Sequence, residues 1–296
     1  MEEKTPKNYQ EFVEKTFSFL RKDKKILLVP FISFLVIIFL LILFIVLLYF
    51  FTDIRFLLTY AKEFGKEAVM GKVFGYTILG LIFLYTIGSF VNVFANAILI
   101  RWSYSKLSGK TLTIRQSLKG TLKHTKKLFI WGLSWGLVSL ILNLIRGEYR
   151  KRAGQAVPTE IGFSFLGITW TFATYFVLPV LLIENKDIKQ AIARSVLIFS
   201  KTWVKNIVGQ FSIGFRLLPW IILAVMPTIL AIATIFAAPD FLINLERTLN
   251  IGVPMILLSS AFGLTIIIIA MVGLVFLALQ QIFFTVIYYY SESAQS

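Results

Sequence analysis

The sequence predicts an all-α fold: a polytopic membrane helix bundle of six transmembrane helices, built as three units of an amphipathic interfacial helix plus a helical hairpin. Three observations support this prediction. Hydrophobic residues make up 57% of the 296 residues, and the mean hydropathy is +0.81. These residues are concentrated in long runs with basic residues at their ends, as is typical of helices that face lipid. One amphipathic pattern also recurs along the chain.

Six apolar runs are candidates for transmembrane helices, because about 20 helical residues cross a hydrocarbon core of about 30 Å. The predicted spans are 26–51, 73–100, 128–144, 161–183, 207–238 and 255–288. Proline inside a span removes a backbone hydrogen bond and bends the helix. The prolines concerned are Pro30, Pro179, Pro219 and Pro227. The fifth span is expected to begin near Ile207 or near Leu217, and the sequence leaves both open.

The distribution of Lys and Arg predicts the orientation, because cytoplasmic loops of membrane proteins are enriched in both. The N-terminal segment carries seven, loop 101–127 eight and loop 184–206 five. The loops 52–72, 145–160 and 239–254 carry four, four and one. The first group therefore holds 20 basic residues and the second nine. We expect both termini in the cytoplasm, with the first run kept as an anchor and not cleaved as a signal peptide.

An amphipathic helical pattern recurs after 74 residues. Apolar side chains spaced 4, 4, 3 and 4 residues apart form a stripe along each predicted helix. Thr113 and Asp187 precede the two stripes and are good N-cap residues. The stripes consist of Ile114, Leu118, Leu122, Thr125 and Phe129 in one copy, and of Ile188, Ile192, Val196, Phe199 and Trp203 in the other.

A third copy of the pattern is predicted near the N-terminus, with Thr5 as its cap and Pro6 as the first helical residue. Its stripe consists of Tyr9, Val13, Phe17 and Leu20. Each copy precedes an odd-numbered span. The single membrane domain, 1–296, therefore divides into the units 1–100, 101–183 and 184–296.

Basic side chains accompany the apolar stripes. This arrangement suits a helix that lies in the headgroup plane of the cytoplasmic leaflet, but packing of the stripe against the bundle explains it equally well. Under the first interpretation each cation near the surface contributes about 1 kcal/mol of attraction to anionic lipid. The predicted contacts to lipid headgroups or to a protein partner are Arg115, Lys119, Lys123, Lys126, Lys127, Lys189, Arg194 and Lys201.

Polar side chains inside the predicted spans are costly in lipid and are therefore candidates for function. One interpretation is a polar cavity open to the cytoplasm, and the other is hydrogen bonding between helices, worth about 0.6 kcal/mol per contact. Arg216 has no Asp or Glu inside any predicted span as a counter-ion. It is expected to reach the interface, a lipid phosphate or a wet cavity. The predicted intramembrane polar cluster is Asn92, Asn96, Asn206, Gln210, Arg216, Gln280 and Gln281.

Composition also bears on partners and chemistry. The net charge of +15 is placed beside the apolar runs, which indicates an anionic membrane surface and not nucleic acid as the partner. The chain has no cysteine, and its one histidine, His124, lies among lysines, whereas a metal site needs several converging donors. The common phosphate-loop, metalloprotease and nucleophile-elbow motifs do not occur. We expect a non-enzymatic protein without a cofactor or metal.

Several stretches together resemble a prokaryotic family of six-span membrane proteins of uncharacterised function. They are 21–25 running into 27–30, 92–100, 169–183 with its Leu178-Pro179 step, 200–203 through 209–211, and 287–290. The layout is also distantly similar to the membrane domain attached to some glycerophosphodiester phosphodiesterases. The chain has no catalytic domain of that kind, so the resemblance implies a fold and a bacterial-type inner membrane but no activity.

Two functions are therefore expected. In the first, the basic cytoplasmic helices engage anionic lipid or a protein partner, and a homo-oligomer is left open. In the alternative, the protein is a transporter or channel that passes a small solute through a cytoplasm-facing polar cavity. The lack of carboxylates inside the predicted spans argues against proton coupling, which usually runs through Asp, Glu or His.

Overall fold

The computed structural model describes residues 8–51, 66–153, 167, 169–249 and 252–293. Over these ranges the chain forms helices joined by short turns and contains no strand, which confirms the all-α class. The helices are α1 (Tyr9–Lys22), α2 (Leu28–Phe51), α3 (Lys66–Leu107), α4 (Ile114–Leu122), α5 (Thr125–Ala153), α6 (Thr169–Glu184), α7 (Ile188–Ala237), α8 (Pro239–Leu249) and α9 (Val253–Ser293).

Four of the described helices are long and apolar enough to cross a membrane: Lys24–Tyr49, Phe74–Leu107, Ile188–Ala237 and Val253–Glu292. They contain most of the first, second, fifth and sixth predicted spans. The predicted third span lies in α5, which is not among the four, and α6 is a shorter apolar helix. Part of the predicted fourth span, 161–166 and 168, lies outside the described residues. Six spans therefore stay a prediction.

Side chains explain where the helices begin. Thr113 caps α4 in a reciprocal capping box, in which its Oγ1 accepts from the Gln116 N–H at 3.2 Å and Gln116 Oε1 accepts from the Thr113 N–H at 2.8 Å. Asp187 Oδ1 accepts from the Gln190 N–H at 2.8 Å. Both predicted caps are therefore confirmed. The predicted cap Thr5 lies outside the described residues; the N-cap of α1 is Asn8, whose Oδ1 accepts from the Glu11 N–H at 3.0 Å.

Prolines act differently along the chain. Pro30 lies in the first turn of α2, where its missing N–H costs no helical hydrogen bond. Around Pro179 α6 is irregular: a turn at residues 175–176 precedes it, and a π-helical turn, Val180–Glu184, follows it. Helix α7 continues through Pro219 and Pro227 without a break.

The residues fall into two compact units. The first comprises Met1–Leu27 and Val204–Phe283. In it the later part of α7 packs against α9. Thr228 Oγ1 is 2.9 Å from Thr265 Oγ1, and Gln280 Nε2 donates to Gln210 Oε1 at 3.2 Å. Because numbers rise along one helix as they fall along the other, the pair is antiparallel. The buried apolar residues of α7 in this unit are Ile213, Leu217, Ala224 and Ala231.

The second unit comprises Leu28–Trp203 and Phe284–Ser296, and α3 packs against α2, α4, α5 and α6. Small residues allow close approach of α3 and α5. Ser89 Oγ donates to the Gly132 carbonyl at 2.9 Å, and a Cβ on Gly132 would lie 3.3 Å from the Cα of Phe90. Gly109, with a φ of +72°, lies in the turn that leads from α3 towards α4.

The core of the second unit is formed mainly by the later half of α3, parts of α4 to α6, the start of α7 and the end of α9. Its largest fully buried side chains include Trp102, Phe176 and Tyr288. The Tyr175 ring lies 4.1 Å from the Phe284 ring, and Phe172 stacks on Phe199 at 4.6 Å. By contrast, the earlier half of α3 exposes apolar side chains such as Phe74 and Phe83, as a helix facing lipid does.

Candidate functional site

Helix α4 meets the protein through small polar side chains and turns its apolar stripe outward. Ser117 and Thr121 are fully buried, whereas 37% of Leu118 and 55% of Leu122 is exposed. The exposed cations Arg115, Lys119 and Lys123 follow the leucines around the helix. The sequence left open whether the stripe packs against the bundle. In the second unit Leu118 and Leu122 do not pack against the bundle.

The first turns of α7 repeat this arrangement. Ala191 and Ser195 are fully buried, and they lie 74 residues after Ser117 and Thr121. The counterpart of Leu122, Val196, is 44% exposed, whereas that of Leu118, Ile192, is half-buried; Trp203, which corresponds to Phe129, is 52% exposed. Lys189 and Lys201 are exposed cations. Ser195 also fastens α6, because its Oγ accepts from the Phe176 N–H at 2.8 Å.

Helix α1 differs from the other two copies. It buries Phe12, Val13 and Thr16, so that one member of its predicted stripe, Val13, faces the protein. It does share a buried hydroxyl with the other copies at the matching position: Thr16 here, Thr121 in α4 and Ser195 in α7. The Thr16 hydroxyl donates to the Phe12 carbonyl at 2.8 Å, within its own helix.

Two of the predicted lipid-contacting cations have partners within the protein. Lys127 Nζ donates to Asn185 Oδ1 at 2.8 Å, to the Asn185 carbonyl at 2.9 Å and to the Lys186 carbonyl at 3.3 Å. Arg194 Nε lies 3.3 Å from Glu184 Oε1. Asn185 is left-handed, with a φ of +53°, and ends the π-helical turn. Lys126 is exposed like Arg115 and Lys119.

The sequence did not predict the polar network around Glu184. Its Oε2 lies 2.5 Å from Lys186 Nζ, and its Oε1 accepts from the Tyr288 hydroxyl at 2.9 Å. Close by, the Tyr104 hydroxyl donates to Glu292 Oε2 at 3.2 Å, and the Tyr104 and Tyr288 rings are 6.3 Å apart. The Glu184–Tyr288 and Tyr104–Glu292 pairs join residues 104 and 188 positions apart, and no local motif signals such contacts.

The predicted polar cluster is brought together only in part. In the first unit Gln210 and Gln280 bond to each other, Asn206 is fully buried, and Gln281 is partly buried. In the second unit Asn96 Nδ2 donates to Asn92 Oδ1 at 3.4 Å, one turn along the same helix. The glutamine pair has the geometry of a hydrogen bond between helices.

Arg216 has partners that the sequence did not reveal, both on α1. Its guanidinium carbon lies 5.2 Å from the centre of the Phe17 ring, within cation–π range. Its Nη2 lies 4.0 Å from Glu14 Oε1, and the two side chains are 40% and 70% exposed. Lys205 lies over the Phe12 ring at 5.3 Å. The counter-ion of Arg216 therefore comes from outside the predicted spans.

These features define a class of protein. Four membrane-length apolar helices mark an integral α-helical membrane protein, with an exposed basic and apolar surface on two of its helices. Within the described part of the chain no group of His, Cys, Asp or Glu is placed to hold a metal ion.

The chain belongs to a family of unknown function, DUF6159, whose profile matches residues 73–296. The matched range contains α4 and α7, and it lies beyond α1 and α2. No curated protein matches the chain. The more distant resemblance to the membrane domain of some glycerophosphodiester phosphodiesterases stays a prediction.

Proposed function

We propose that this protein is a non-enzymatic, six-span protein of a bacterial inner membrane that engages the anionic lipid of the cytoplasmic leaflet through α4 and the first turns of α7. One observation carries the proposal: α4 buries Ser117 and Thr121 while Leu118 and Leu122 point outward beside a row of cations. An exposed apolar stripe costs free energy in water, but it is stabilised at the level of lipid headgroups and acyl chains.

Charge complementarity selects lipid as the occupant of this face. Leucine side chains that enter the acyl region gain roughly 1.5–3 kcal/mol each, and each neighbouring Lys or Arg adds about 1 kcal/mol with anionic headgroups. Lys189, Val196, Lys201 and Trp203 on α7 are exposed in the same way and add a second basic and apolar surface. Ser117 and Ala191 occupy equivalent positions and are both fully buried, as are Thr121 and Ser195. This match supports the proposed duplication into similar units.

Replacing Arg115 and Lys119 by glutamine tests the proposal. Reconstituted protein is mixed with spin-labelled phosphatidylglycerol or phosphatidylcholine, and the motionally restricted fraction of each lipid gives their relative association constants. At about 1 kcal/mol per charge, losing both lowers the preference for phosphatidylglycerol by up to roughly thirtyfold. The preference of the unmodified protein should also fall with added salt.

The matched control exchanges the two cations, as Arg115→Lys with Lys119→Arg, and keeps both charges. It should retain the preference for phosphatidylglycerol. An equal lipid preference in the unmodified protein and the glutamine variant would refute the proposal. If a purified cytoplasmic protein instead bound the same face with the same charge dependence, the occupant would be a protein partner.

The alternative function, a transporter or channel with a cytoplasm-facing polar cavity, stays a prediction. The hydrogen bond between Gln210 and Gln280 does not favour it, because it joins a side chain of α7 to one of α9 and not to a solute path.

A further inference from the structure

In the second unit an arginine of α3 lies against a glycine of α4. Arg101, in the later part of α3, places its guanidinium against Gly120 of α4. A Cβ on Gly120 would lie 2.5 Å from Nη2 and 2.8 Å from both Nε and Cζ. The Arg101 Nε atom is buried without a hydrogen-bond partner. The side chain as a whole is partly exposed, so a ligand can reach it.

The surroundings of Arg101 are cationic. His124 lies in the turn between α4 and α5, one residue after Lys123, and the charge of Arg101 acts on it. Partial burial and then the charges of Arg101, Lys127 and Lys123 lower the pKa of His124 below its usual 6.5. Among the residues that the structure describes, no carboxylate forms an ion pair with Arg101, Lys123 or Lys127. A buried guanidinium N–H without an acceptor is costly.

The three cations and the histidine are not equivalent. Lys127 Nζ already donates to three oxygens of residues 185 and 186, so it contributes a fixed charge and no free donor. Arg101 retains its unused Nε–H, and Lys123 is exposed with its ammonium group. The donors available to a ligand therefore belong to Arg101, Lys123 and His124.

We propose that Arg101, Lys123 and His124, backed by the charge of Lys127, form a binding site for one phosphate group. The planar guanidinium presents paired N–H donors that match two phosphate oxygens. The phosphate belongs to a lipid headgroup or is free inorganic phosphate. Its assignment to lipid rests on the proposed function.

His124 is the only histidine of the chain and is therefore a built-in probe. Full-length protein with isotope-labelled histidine, in a nonionic detergent, is titrated with inorganic phosphate, with soluble dihexanoyl phosphatidylglycerol and with its zwitterionic choline analogue. The imidazole resonance is followed against pH. A bound anion favours the protonated imidazole, so saturating ligand should raise the pKa of His124.

Either anion that raises the pKa of His124 at one saturable site supports the proposal and identifies the source of the phosphate. Competition between the two anions would show that they share the site. If neither moves the resonance, or if the choline analogue moves it equally, the proposal is overturned.

Variants assign the effect to the guanidinium. Arg101→Gln should weaken the binding by about tenfold or more, because a charge-assisted bond is lost. Gly120→Ala keeps every charge but displaces the flexible end of Arg101, and it should weaken binding as well. Lys110→Gln removes an equal charge from the exposed turn before α4 and should change the affinity by less than about twofold. Unchanged affinity in both Arg101→Gln and Gly120→Ala would overturn the proposal, whatever their thermal stability.

The two proposals fail separately. Lipid preference without a saturable, Arg101-dependent site would overturn this inference alone. An Arg101-dependent phosphate site in a protein that shows no lipid preference would overturn the proposed function and would leave free phosphate as the ligand.

Discussion

Asn185 combines an unusual backbone conformation with a structural contact. Its φ of +53° lies in the left-handed region, which costs most residues with a Cβ about 1–2 kcal/mol and costs asparagine less. Its side-chain and backbone oxygens both accept from Lys127. The residue therefore ends the π-helical turn of α6 and fastens that turn to α5.

We predict that Asn185→Ala lowers the stability of the protein by about 1–2 kcal/mol, because alanine cannot adopt this conformation cheaply and has no side-chain acceptor. Asn185→Gly should cost less, because glycine adopts a positive φ freely and the backbone acceptors of Lys127 remain. Thermal unfolding of both variants in detergent measures the difference. A glycine variant no more stable than the alanine variant would contradict the backbone explanation.

At the residue scale, the sequence predicted the caps Thr113 and Asp187 correctly, because capping depends on neighbours only three positions away. It could not predict that Lys127 and Arg194 have partners within the protein, or that Glu14 approaches Arg216. Those contacts depend on which helices become neighbours. Small hydroxyl residues such as Thr121 look like surface positions in the sequence, yet they are buried where helices approach closely.

At the scale of the element, periodicity predicted that α4 is amphipathic but not which side faces the protein. The leucine stripe was compatible with the core, and packing assigned it outward because Ser117 and Thr121 allow a closer fit.

In α7 the sequence predicted an interfacial helix separate from its span. The structure contains one helix of 50 residues, and no glycine or proline falls between Lys201 and Val208 to end it.

The outward stripe of α4 can be tested with single cysteines, because the chain has none of its own. We predict that a nitroxide at Leu118→Cys is relaxed strongly by oxygen, which concentrates in lipid. A nitroxide at the neighbouring Lys119→Cys, about 100° further around the helix, should respond more to a water-soluble nickel complex. Both measurements use electron paramagnetic resonance in vesicles. Equal responses at the two positions would place the whole helix in one environment and contradict the interfacial orientation.

At the scale of the whole molecule, composition and run length predicted a membrane helix bundle, and four of the six predicted spans lie in membrane-length helices. The division into two compact units was not predictable, because α7 and α9 each contribute to both. Contacts, and not the order of elements along the chain, define such units. The threefold scheme and the orientation of the termini stay predictions.

The predicted orientation can be checked by labelling from one side of the membrane. We expect Lys119→Cys and Lys201→Cys to react with an impermeant maleimide only after the cells are permeabilised, because cytoplasmic loops are rich in basic residues. Arg247→Cys, in α8, should react in intact cells. Labelling of positions 119 and 201 from opposite sides would contradict both the orientation and the repeat.

The end of α9 completes the core of the second unit: Phe284 meets Tyr175, Tyr288 bonds to Glu184, and Glu292 accepts from Tyr104. The ribosome makes these last turns after all of their partners. During synthesis that core therefore stays open until the final span has been inserted. A chain that stops early leaves Tyr175 and Glu184 without these partners, and so presents to the cell's quality-control proteases a surface that the finished protein covers.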